Sequence, residues 1–343
     1  MKKIEIRGRT GQSQIFVGER LANLPSYLNQ KRVIIITDHN VADFYQKDFP
    51  IADVIRIGTG EGIKTLDTVE RIYRQLIAFE ADRSAFLLGI GGGIVCDITG
   101  FVASTYLRGI DFGYVPTTLL AQVDASVGGK TGVNFMKYKN MVGVFNQPEF
   151  VICDPNVLKT LPRREFVSGF AEIVKHAAIA DASYFTYLEK NAANALALDL
   201  EVLQQIIYGS VEIKSEIVNR DETEKGERRK LNFGHTFGHA VEKNTGVSHG
   251  EAISIGMMVA SLMSASKNIL TENDVERIKR LLAVFHLPVA VEMERDGILD
   301  AVVRDKKREG DGINFVLLSG IGQAVVEKIS LAELESILCS IES

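Results

Sequence analysis

The fold class follows from one stretch of the sequence, Leu87-Leu88-Gly89-Ile90-Gly91-Gly92-Gly93-Ile94-Val95-Cys96-Asp97. Its pattern predicts a buried strand, a glycine turn and the start of a helix. Glycines let a backbone approach phosphates closely, and the N–H groups at a helix start add partial positive charge, so a pyrophosphate fits this turn. The three contiguous glycines depart from the Gly-x-Gly-x-x-Gly spacing, and an ordinary tight loop is the alternative.

Short β-branched runs before and after this stretch alternate with helical patterns. Strands are predicted at residues 33–37, 53–57, 85–90 and 112–115, and residues 66–79 carry apolar side chains at three- and four-residue intervals. This alternation is typical of a mostly parallel sheet flanked by helices. We therefore predict a Rossmann-like α/β domain over residues 1–155.

Long helical patterns replace the strands in the second half of the chain. They cover residues 165–179, 201–219, 233–243, 250–267 and 274–285, and a small hairpin is expected around Gly320-Ile321-Gly322. A chain of 343 residues exceeds what one hydrophobic core usually spans. Apart from that hairpin, we predict an all-α second domain over residues 156–343.

Composition narrows the class of protein. The net charge of -5 gives no indication of a basic surface for nucleic acid, so a small anion is the expected partner. Three widely spaced cysteines argue against a disulfide scaffold and fit a reducing cytoplasm. The first residues lack the apolar core of a signal peptide, and the longest apolar tract, residues 252–265, is shorter than a membrane span. We expect a cytoplasmic protein without a membrane partner.

Three of the six histidines lie close together in the second half. His235 and His239 have the i, i+4 spacing that places two imidazoles on one helical face, and His249 follows after a predicted turn. A carboxylate is needed to complete a divalent metal site, and Glu172, three residues before Lys175 on an otherwise apolar helix, is the candidate. The alternative is that these histidines cap helices or form hydrogen bonds within the core.

Polar residues follow the predicted strands and glycine turns. Asp38 comes directly after one strand, where an acid can accept hydrogen bonds from a ribose, and Glu61 and Lys64 follow the next. The segment 116–132 begins with helix-start residues and ends in a basic glycine loop, which resembles a phosphate clamp. Its spacing is not that of a Walker A loop, so ATP hydrolysis has little support.

Arg228 and Asn232 extend the helical face of His235 toward the predicted metal. An arginine beside a metal favours binding of a carboxylate or a phosphate. The neighbouring charged residues at 221–229 are otherwise typical of a solvated helix junction.

Taken together, these motifs resemble the 3-dehydroquinate synthases along nearly the whole chain. The resemblance rests on an ordered set of segments: Glu61-x-x-Lys64, Gly91-Gly92-Gly93-x-x-x-Asp97, Pro116-Thr117-Thr118, Asp124-Ala125-Ser126-x-Gly128-Gly129-Lys130-Thr131-Gly132-Val133-Asn134, Lys139-Asn140, Glu172-x-x-Lys175, Leu231-Asn232-x-Gly234-His235-Thr236-x-Gly238-His239 and His249-Gly250-Glu251-Ala252. Such an order of matches is not expected by chance.

The resemblance implies a cytoplasmic homodimer that binds NAD and one divalent metal, zinc or cobalt, in each subunit. The implied reaction converts the anionic sugar phosphate 3-deoxy-D-arabino-heptulosonate 7-phosphate to 3-dehydroquinate and phosphate, with NAD recycled in each turnover. The implied metal ligands are Glu172, His235 and His249, in place of the His235 and His239 pair that spacing alone favours. His239 then belongs to the substrate pocket.

The resemblance also implies roles for other residues. The implied NAD contacts are Asp38, Asn40, Glu61, Lys64, Gly92, Gly93, Ile94, Val95, Cys96, Asp97, Thr117, Thr118, Lys130, Lys139, Val157, Leu158, Lys159 and Thr160. The implied substrate-side residues are Asp124, Lys175, Lys214 and Arg228, with Arg108, Lys130, Asn140, Asn232, His239 and either Lys306 or Lys307 toward the phosphate. Cys96 departs from the family pattern, which often has glycine at that position.

Three alternatives remain at this point. A metal-dependent polyol dehydrogenase of the glycerol type would share the fold and the cofactors, but a neutral polyol does not require Lys130, Lys214 and Arg228. Another sugar phosphate cyclase would differ on the substrate side. A non-catalytic binding protein on the same scaffold would have lost a ligand or a clamp residue, and none is missing from the sequence.

Overall fold

In the computed structural model, the described residues are 1–28, 31–136, 138–290, 308–309, 312–330 and 333–334. Nothing in this part of the chain forms a helix long and apolar enough to cross a membrane. The chain divides into two compact units. The first comprises Met1–Phe166 with Leu203–Thr223, and the second comprises Val167–Val202 with Glu224–Ser343.

A seven-stranded sheet forms the centre of the first unit. Its spatial order is β1-β2-β9-β6-β5-β3-β4. All neighbouring strands run parallel except β1 and β2, which form an antiparallel hairpin. The strands are β1 (Lys2–Gly8), β2 (Gly11–Val17), β3 (Val33–Asp38), β4 (Asp53–Ile57), β5 (Phe86–Gly91), β6 (Phe112–Pro116) and β9 (Phe150–Cys153). The predicted parallel sheet is confirmed.

Three helices accompany this sheet: α1 (His39–Tyr45), α2 (Leu66–Ala78) and α3 (Gly93–Thr105). The apolar positions of α2, among them Val69, Ile72 and Leu76, are buried, as their helical spacing predicts. Side chains of β3, β5, β6 and β9 form one hydrophobic cluster with the segment 21–28. Every residue of β5 is buried, which explains why this parallel strand is a continuous apolar run in the sequence.

The segment between β6 and β9 leaves the sheet. A π-helical turn, Ala121–Ala125, precedes a separate two-stranded hairpin of β7 (Lys130–Phe135) and β8 (Tyr138–Phe145). Gly132 and Gly143 face each other in this hairpin. A Cβ on Gly143 would lie 2.2 Å from the carbonyl oxygen of Thr131, so the two strands approach too closely for a side chain there.

Helices dominate the remaining residues that the structure describes. They are α4 (Arg163–Ala180), α5 (Ala182–Leu196), α6 (Leu200–Arg220), α7 (His235–Thr245), α8 (His249–Ser266) and α9 (Glu272–Val284). The second unit also holds an antiparallel sheet of β10 (Arg308–Glu309), β11 (Gly312–Gly320) and β12 (Gln323–Ser330), which confirms the predicted hairpin. Phe237, Met263, Phe315 and Leu317 pack in one of its cores.

Most of α6 belongs to the unit of the sheet, which differs from a single boundary after residue 155. The reason is a set of contacts with the β1–β2 hairpin. The Asn219 Oδ1 accepts a hydrogen bond from the Arg7 backbone N–H at 2.9 Å, and the Glu222 carboxylate accepts one from the Arg9 backbone N–H at 2.7 Å. These contacts join residues more than 200 positions apart, so local patterns in the sequence do not reveal them.

Candidate functional site

Three side chains of the second unit converge as a potential metal site. Glu172 is fully buried on α4, while His235 and His249 open α7 and α8. Glu172 Oε1 lies 3.7 Å from His235 Nε2 and 3.3 Å from His249 Nε2. One ligand atom from each residue lies within 4.8 Å of the others. A carboxylate and two imidazoles in this arrangement suit zinc or cobalt and leave a coordination position for a substrate.

Close packing of α7 against α8 brings the two histidines together. Gly234 precedes α7 in the left-handed conformation, with φ 78°. A Cβ on Gly256 of α8 would lie only 1.9 Å from the Gly234 carbonyl oxygen, and one on Gly238 would lie 3.0 Å from the Ala252 carbonyl oxygen. Glycine is therefore required where these helix backbones meet, because any side chain would separate them.

The second ring nitrogen of each histidine also faces an oxygen. His235 Nδ1 lies 3.2 Å from the Phe233 carbonyl oxygen, and His249 Nδ1 lies 3.8 Å from Glu242 Oε2. A proton on each Nδ1 would leave the Nε2 lone pairs for a metal. Burial opposes the protonated form of His249, but the Glu172 and Glu242 carboxylates outweigh burial and raise the pKa of His249 to about 9.

Lys175 supplies a buried positive charge beside the carboxylate ligand. Its Nζ donates to Glu172 Oε2, and both side chains are almost fully buried. Burial by itself would raise the pKa of Glu172, but Lys175 and the two histidines hold that pKa well below its ordinary value. Glu172 therefore stays ionised, as a metal ligand must.

His239 does not join this group of ligand atoms, although it lies one turn after His235. Its ring centre is 5.3 Å from that of His235, and its side chain is exposed. The structure therefore groups His249 with His235 and Glu172, in agreement with the resemblance and against spacing alone. Among the other predicted residues of this unit, Arg228 is buried, and the Asn232 amide donates to Glu224 Oε1.

The glycine turn of the first unit leads directly into α3. Gly92 precedes the helix and provides no side-chain cap. A Cβ on Gly92 would lie 3.1 Å from Thr118 Cγ2, and a Cβ on Gly93 would lie 3.1 Å from the Ala125 Cβ. The turn thus packs closely against the segment after β6 and leaves the first N–H groups of α3 for an anion such as a pyrophosphate.

Cys96 lies in the core beneath this turn. Its thiol is 3.9 Å from the Gly91 carbonyl oxygen, and burial raises its pKa well above the ordinary value. The departure from the family pattern therefore places a protonated, buried sulfur against the strand, within a core of this unit.

A polar network connects four of the predicted cofactor and substrate residues. The Lys64 Nζ donates to both the Asp97 carboxylate and the Asn140 Oδ1. Asn134 extends the network, since its amide donates to Glu61 Oε1 at 2.8 Å and its Oδ1 accepts from the Asn140 backbone N–H at 2.9 Å. Burial raises the pKa of Asp97, although Lys64 opposes this effect. The network joins the loop after β4 to the first turn of α3 and to the β7–β8 hairpin.

The remaining predicted NAD residues lie around the ends of the strands. Asp38 caps α1 by accepting from the Val41 N–H at 2.9 Å. Thr117 is buried, and its N–H donates to the Gly91 carbonyl oxygen at 2.9 Å. Residues 157–160 form a 3-10 turn in which Thr160 meets the Tyr45 hydroxyl at 2.6 Å. Asn40 and Lys139 are exposed.

Lys214 on α6 meets Asp124 within the first unit. Its Nζ donates to Asp124 Oδ1 at 2.6 Å and to the Asp124 carbonyl oxygen at 2.7 Å. By contrast, Arg108 lies exposed in a left-handed turn, with φ 70°, and makes no ion pair among the described residues. Lys130 is exposed at the start of β7. Lys306 and Lys307 lie outside the described residues.

The sequence motifs assign no role to Asn134, Glu224 and Glu242, although each contacts a residue of the predicted site. Glu242 carries a recognisable signal, because it follows His235 by seven residues and therefore shares its helical face. Glu224 lies in a bend before the 3-10 helix Glu227–Asn232, where α-helical spacing has no such meaning.

Family models and relatives agree along the chain. Residues 54–168 match the model described as 3-dehydroquinate synthase N-terminal, and residues 169–308 match the model described as 3-dehydroquinate synthase C-terminal. A 3-dehydroquinate synthase of Coxiella burnetii (strain CbuK_Q154) is 43% identical, and the match covers 94% of this chain and 95% of the relative.

Two solved structures are similar in both fold and sequence. One is a 2-deoxy-scyllo-inosose synthase complexed with carbaglucose-6-phosphate, NAD+ and Co2+, with a TM-score of 0.86, 28% identity and coverage of 98% of this chain and 99% of that one. The other is the 2-epi-5-epi-valiolone synthase of Streptomyces hygroscopicus subsp. jinggangensis 5008 with NAD+ and Zn2+ bound, with a TM-score of 0.87, 28% identity and coverage of 100% and 98%.

Proposed function

The chain belongs to the 3-dehydroquinate synthase family, and from that premise we propose that it converts 3-deoxy-D-arabino-heptulosonate 7-phosphate to 3-dehydroquinate and inorganic phosphate. One observation carries the proposal: ligand atoms of Glu172, His235 and His249 lie within 4.8 Å of one another. The same chain has the glycine turn before α3. The enzyme is a phosphate-eliminating lyase of the shikimate pathway, which supplies aromatic amino acids.

Two cofactors serve this reaction, NAD and one divalent metal, zinc or cobalt. Glu172, His235 and His249 would hold the metal, which would supply a Lewis acid for the substrate hydroxyls, and the glycine turn before α3 would hold NAD, which would supply a reversible hydride acceptor. The sum of the reaction is therefore neither an oxidation nor a reduction, and one phosphate leaves for each product formed.

The second unit provides the metal ligands and fixes their state. Glu172 contributes the carboxylate, and its ion pair with Lys175 keeps it deprotonated. His235 and His249 contribute Nε2 atoms, because an oxygen faces the opposite nitrogen of each ring. We assign Arg228, Asn232 and His239 of this unit to the substrate anion and ring, since a phosphate and a carboxylate need cationic or hydrogen-bonding partners.

The first unit binds NAD. Gly92, Gly93 and the first N–H groups of α3 bind the pyrophosphate, and Asp38 lies at a strand end where it can accept from a ribose hydroxyl. Lys64, held by Asp97, maintains the shape of the loop after β4. We assign Lys130, Asn140 and Lys214 to the substrate and its phosphate, and the remaining assignments to NAD follow the resemblance.

The leaving phosphate removes the need for many protein acids and bases. A phosphate dianion can itself accept the proton that is lost in the elimination, so the main tasks of the protein are to hold the ring and to stabilise charge. This is consistent with the residues assigned to the substrate, which are cations and hydrogen-bond donors for the most part.

We further infer a homodimer in the cytoplasm. Among the residues that the structure describes, Cys96 and Cys153 are free and buried, which supports a reducing compartment. Sedimentation analysis of the full chain tests the dimer, and a monomer at micromolar concentration would contradict it. Fractionation of cells tests the location, and recovery from the membrane or a secreted fraction would contradict it.

The decisive experiment measures phosphate release from 3-deoxy-D-arabino-heptulosonate 7-phosphate with catalytic NAD. Activity should disappear after chelation and return with Co2+ or Zn2+, without lasting NADH absorbance. Stoichiometric NADH from glycerol, with no phosphate release, would instead establish a polyol dehydrogenase. Phosphate release from another sugar phosphate alone would identify a different cyclase.

A further inference from the structure

The imidazole of His249 lies between two carboxylates. Its Nε2 is 3.3 Å from Glu172 Oε1, and its Nδ1 is 3.8 Å from Glu242 Oε2. Glu172 belongs to the proposed ligand set, whereas Glu242 contacts the opposite side of the ring. The Glu242 side chain is only 16% exposed, so its charge is partly withdrawn from water and acts more strongly on a neighbouring ring than a surface charge would.

The helices explain how Glu242 reaches this position. His235, His239 and Glu242 follow one another at intervals of four and three residues, which places them on one face of α7. After α7 ends at Thr245, the chain turns through Gly246, which has φ 71°, and α8 begins with His249. The first residue of α8 therefore lies opposite the last turns of α7.

The two histidines differ in what faces their Nδ1 atoms. His235 faces the neutral carbonyl oxygen of Phe233 at 3.2 Å, and His249 faces the anionic carboxylate of Glu242. A carboxylate at Nδ1 fixes the ring tautomer, limits rotation and makes the metal-facing nitrogen a stronger donor. A neutral carbonyl fixes the tautomer with less effect on donor strength.

We propose that Glu242 is a positioning residue that orients His249 and strengthens its bond to the metal. This inference rests on the proposed metal site and extends it to a residue outside the ligand set. Glu242 lies outside the group of candidate ligand atoms. The distance of 3.8 Å between its Oε2 and His249 Nδ1 indicates an ionic contact.

The test compares Glu242→Gln and Glu242→Leu with the wild type in the full chain, using Co2+ alone as the probe. Glutamine keeps the size and an acceptor oxygen but removes the charge, and leucine removes both. Lys243→Gln is the matched control, because Lys243 is the exposed neighbour on the same helix. Dissociation constants come from chelator competition, and the cobalt ligand-field spectrum reports the coordination geometry.

We expect Glu242→Leu to weaken Co2+ binding by about 10- to 100-fold and to change the cobalt spectrum. Glu242→Gln should fall between leucine and the wild type, and Lys243→Gln should match the wild type. A merely structural role would lower the thermal stability of the metal-free protein without changing the cobalt spectrum. Wild-type affinity and spectrum in Glu242→Leu would overturn the inference.

Failure of the proposed function gives a different result. If wild-type protein binds Co2+ tightly but releases no phosphate, the reaction is wrong, and the role of Glu242 is still decided by the binding data. If wild-type protein does not bind Co2+, the metal site and the inference built on it are both overturned.

Discussion

Lys214 Nζ donates two hydrogen bonds to one residue, Asp124, at 2.6 Å to its Oδ1 and 2.7 Å to its carbonyl oxygen. The lysine side chain is only 7% exposed and the aspartate side chain 29% exposed. Because Asp124 holds the ammonium group in place, Lys214 loses little side-chain entropy when it binds an anion.

Substitution of Lys214 should therefore reduce turnover of the substrate. Lys214→Gln removes a charged contact worth about 2 kcal/mol, so we expect kcat/KM to fall by roughly 30-fold or more. Initial rates of phosphate release measure the effect. Arg220→Gln, at an exposed position on the same helix, is the control. Equal kcat/KM in Lys214→Gln and wild type would remove Lys214 from the substrate contacts.

Glu172→Gln should abolish metal binding and also destabilise the metal-free protein. The substitution leaves the Lys175 ammonium, which is 2% exposed, without its carboxylate. Breaking a buried ion pair by removing one partner costs about 3–5 kcal/mol. Urea unfolding of chelated protein measures this loss of unfolding free energy.

The double variant Glu172→Gln with Lys175→Met separates the two effects. Because the buried ammonium is gone, it should recover part of the unfolding free energy lost in Glu172→Gln. It should still bind no Co2+. A double variant less stable than Glu172→Gln would contradict the view that the unpaired lysine causes the loss.

Gly93→Val should weaken NAD binding without preventing folding of the first unit. A Cβ at this position already lies 3.1 Å from the Ala125 Cβ, and valine adds two methyl groups at the start of α3. Overpacking of this kind costs about 1–3 kcal/mol, which corresponds to roughly a 5- to 150-fold change if it falls on cofactor binding. Calorimetric titration with NAD measures it. Wild-type NAD affinity in Gly93→Val would contradict the prediction.

Glu222 should make the stability of the first unit depend on pH. Burial by itself would raise its pKa, but hydrogen bonds from Thr10, Gln147 and the Arg9 backbone N–H lower the net value below the ordinary 4.5. A lowered pKa in the folded state stabilises the protein above the unfolded-state pKa, and this contribution is lost as the pH falls through the folded-state pKa.

Glu222→Gln should therefore reduce the unfolding free energy by about 1–2 kcal/mol at pH 7, after allowance for solvent around the carboxylate. The difference from wild type should shrink as the pH falls below 4.5. Urea unfolding of chelated protein at pH 7 and near pH 4 gives both values. An equal difference at both pH values would show that the charge is not responsible.

The sequence predicts much of the sheet of the first unit, because residues 33–37 are all β-branched and residues 85–90 are all apolar. The expected strand at 33–37 is β3, and the expected strand at 85–90 is β5 with a shift of one residue. Helix α2 follows from its apolar spacing in the same way. The local sequence pattern is enough to predict a helix or a strand wherever buried residues recur with the period of that element.

Contacts between distant elements are not visible in local patterns. Most of α6 belongs to the first unit, where Asn219 and Glu222 contact the β1–β2 hairpin. Their partners are more than 200 positions away in the sequence. Similarly, spacing favours His239 as the partner of His235, but the turn at Gly246 brings His249 back toward Glu172. The motif resemblance selects His249 because it carries information on tertiary structure that spacing lacks.

The backbone contact between Gly256 and Gly234 has a consequence for mutational libraries of this chain. A Cβ at position 256 would lie 1.9 Å from a carbonyl oxygen, a main-chain atom that no rotamer change can move aside. Deep sequencing after selection should thus recover glycine almost alone at this codon, although residue 256 itself offers no ligand atom. A position can therefore accept a single residue type because no side chain fits there, even when the residue takes no part in the chemistry.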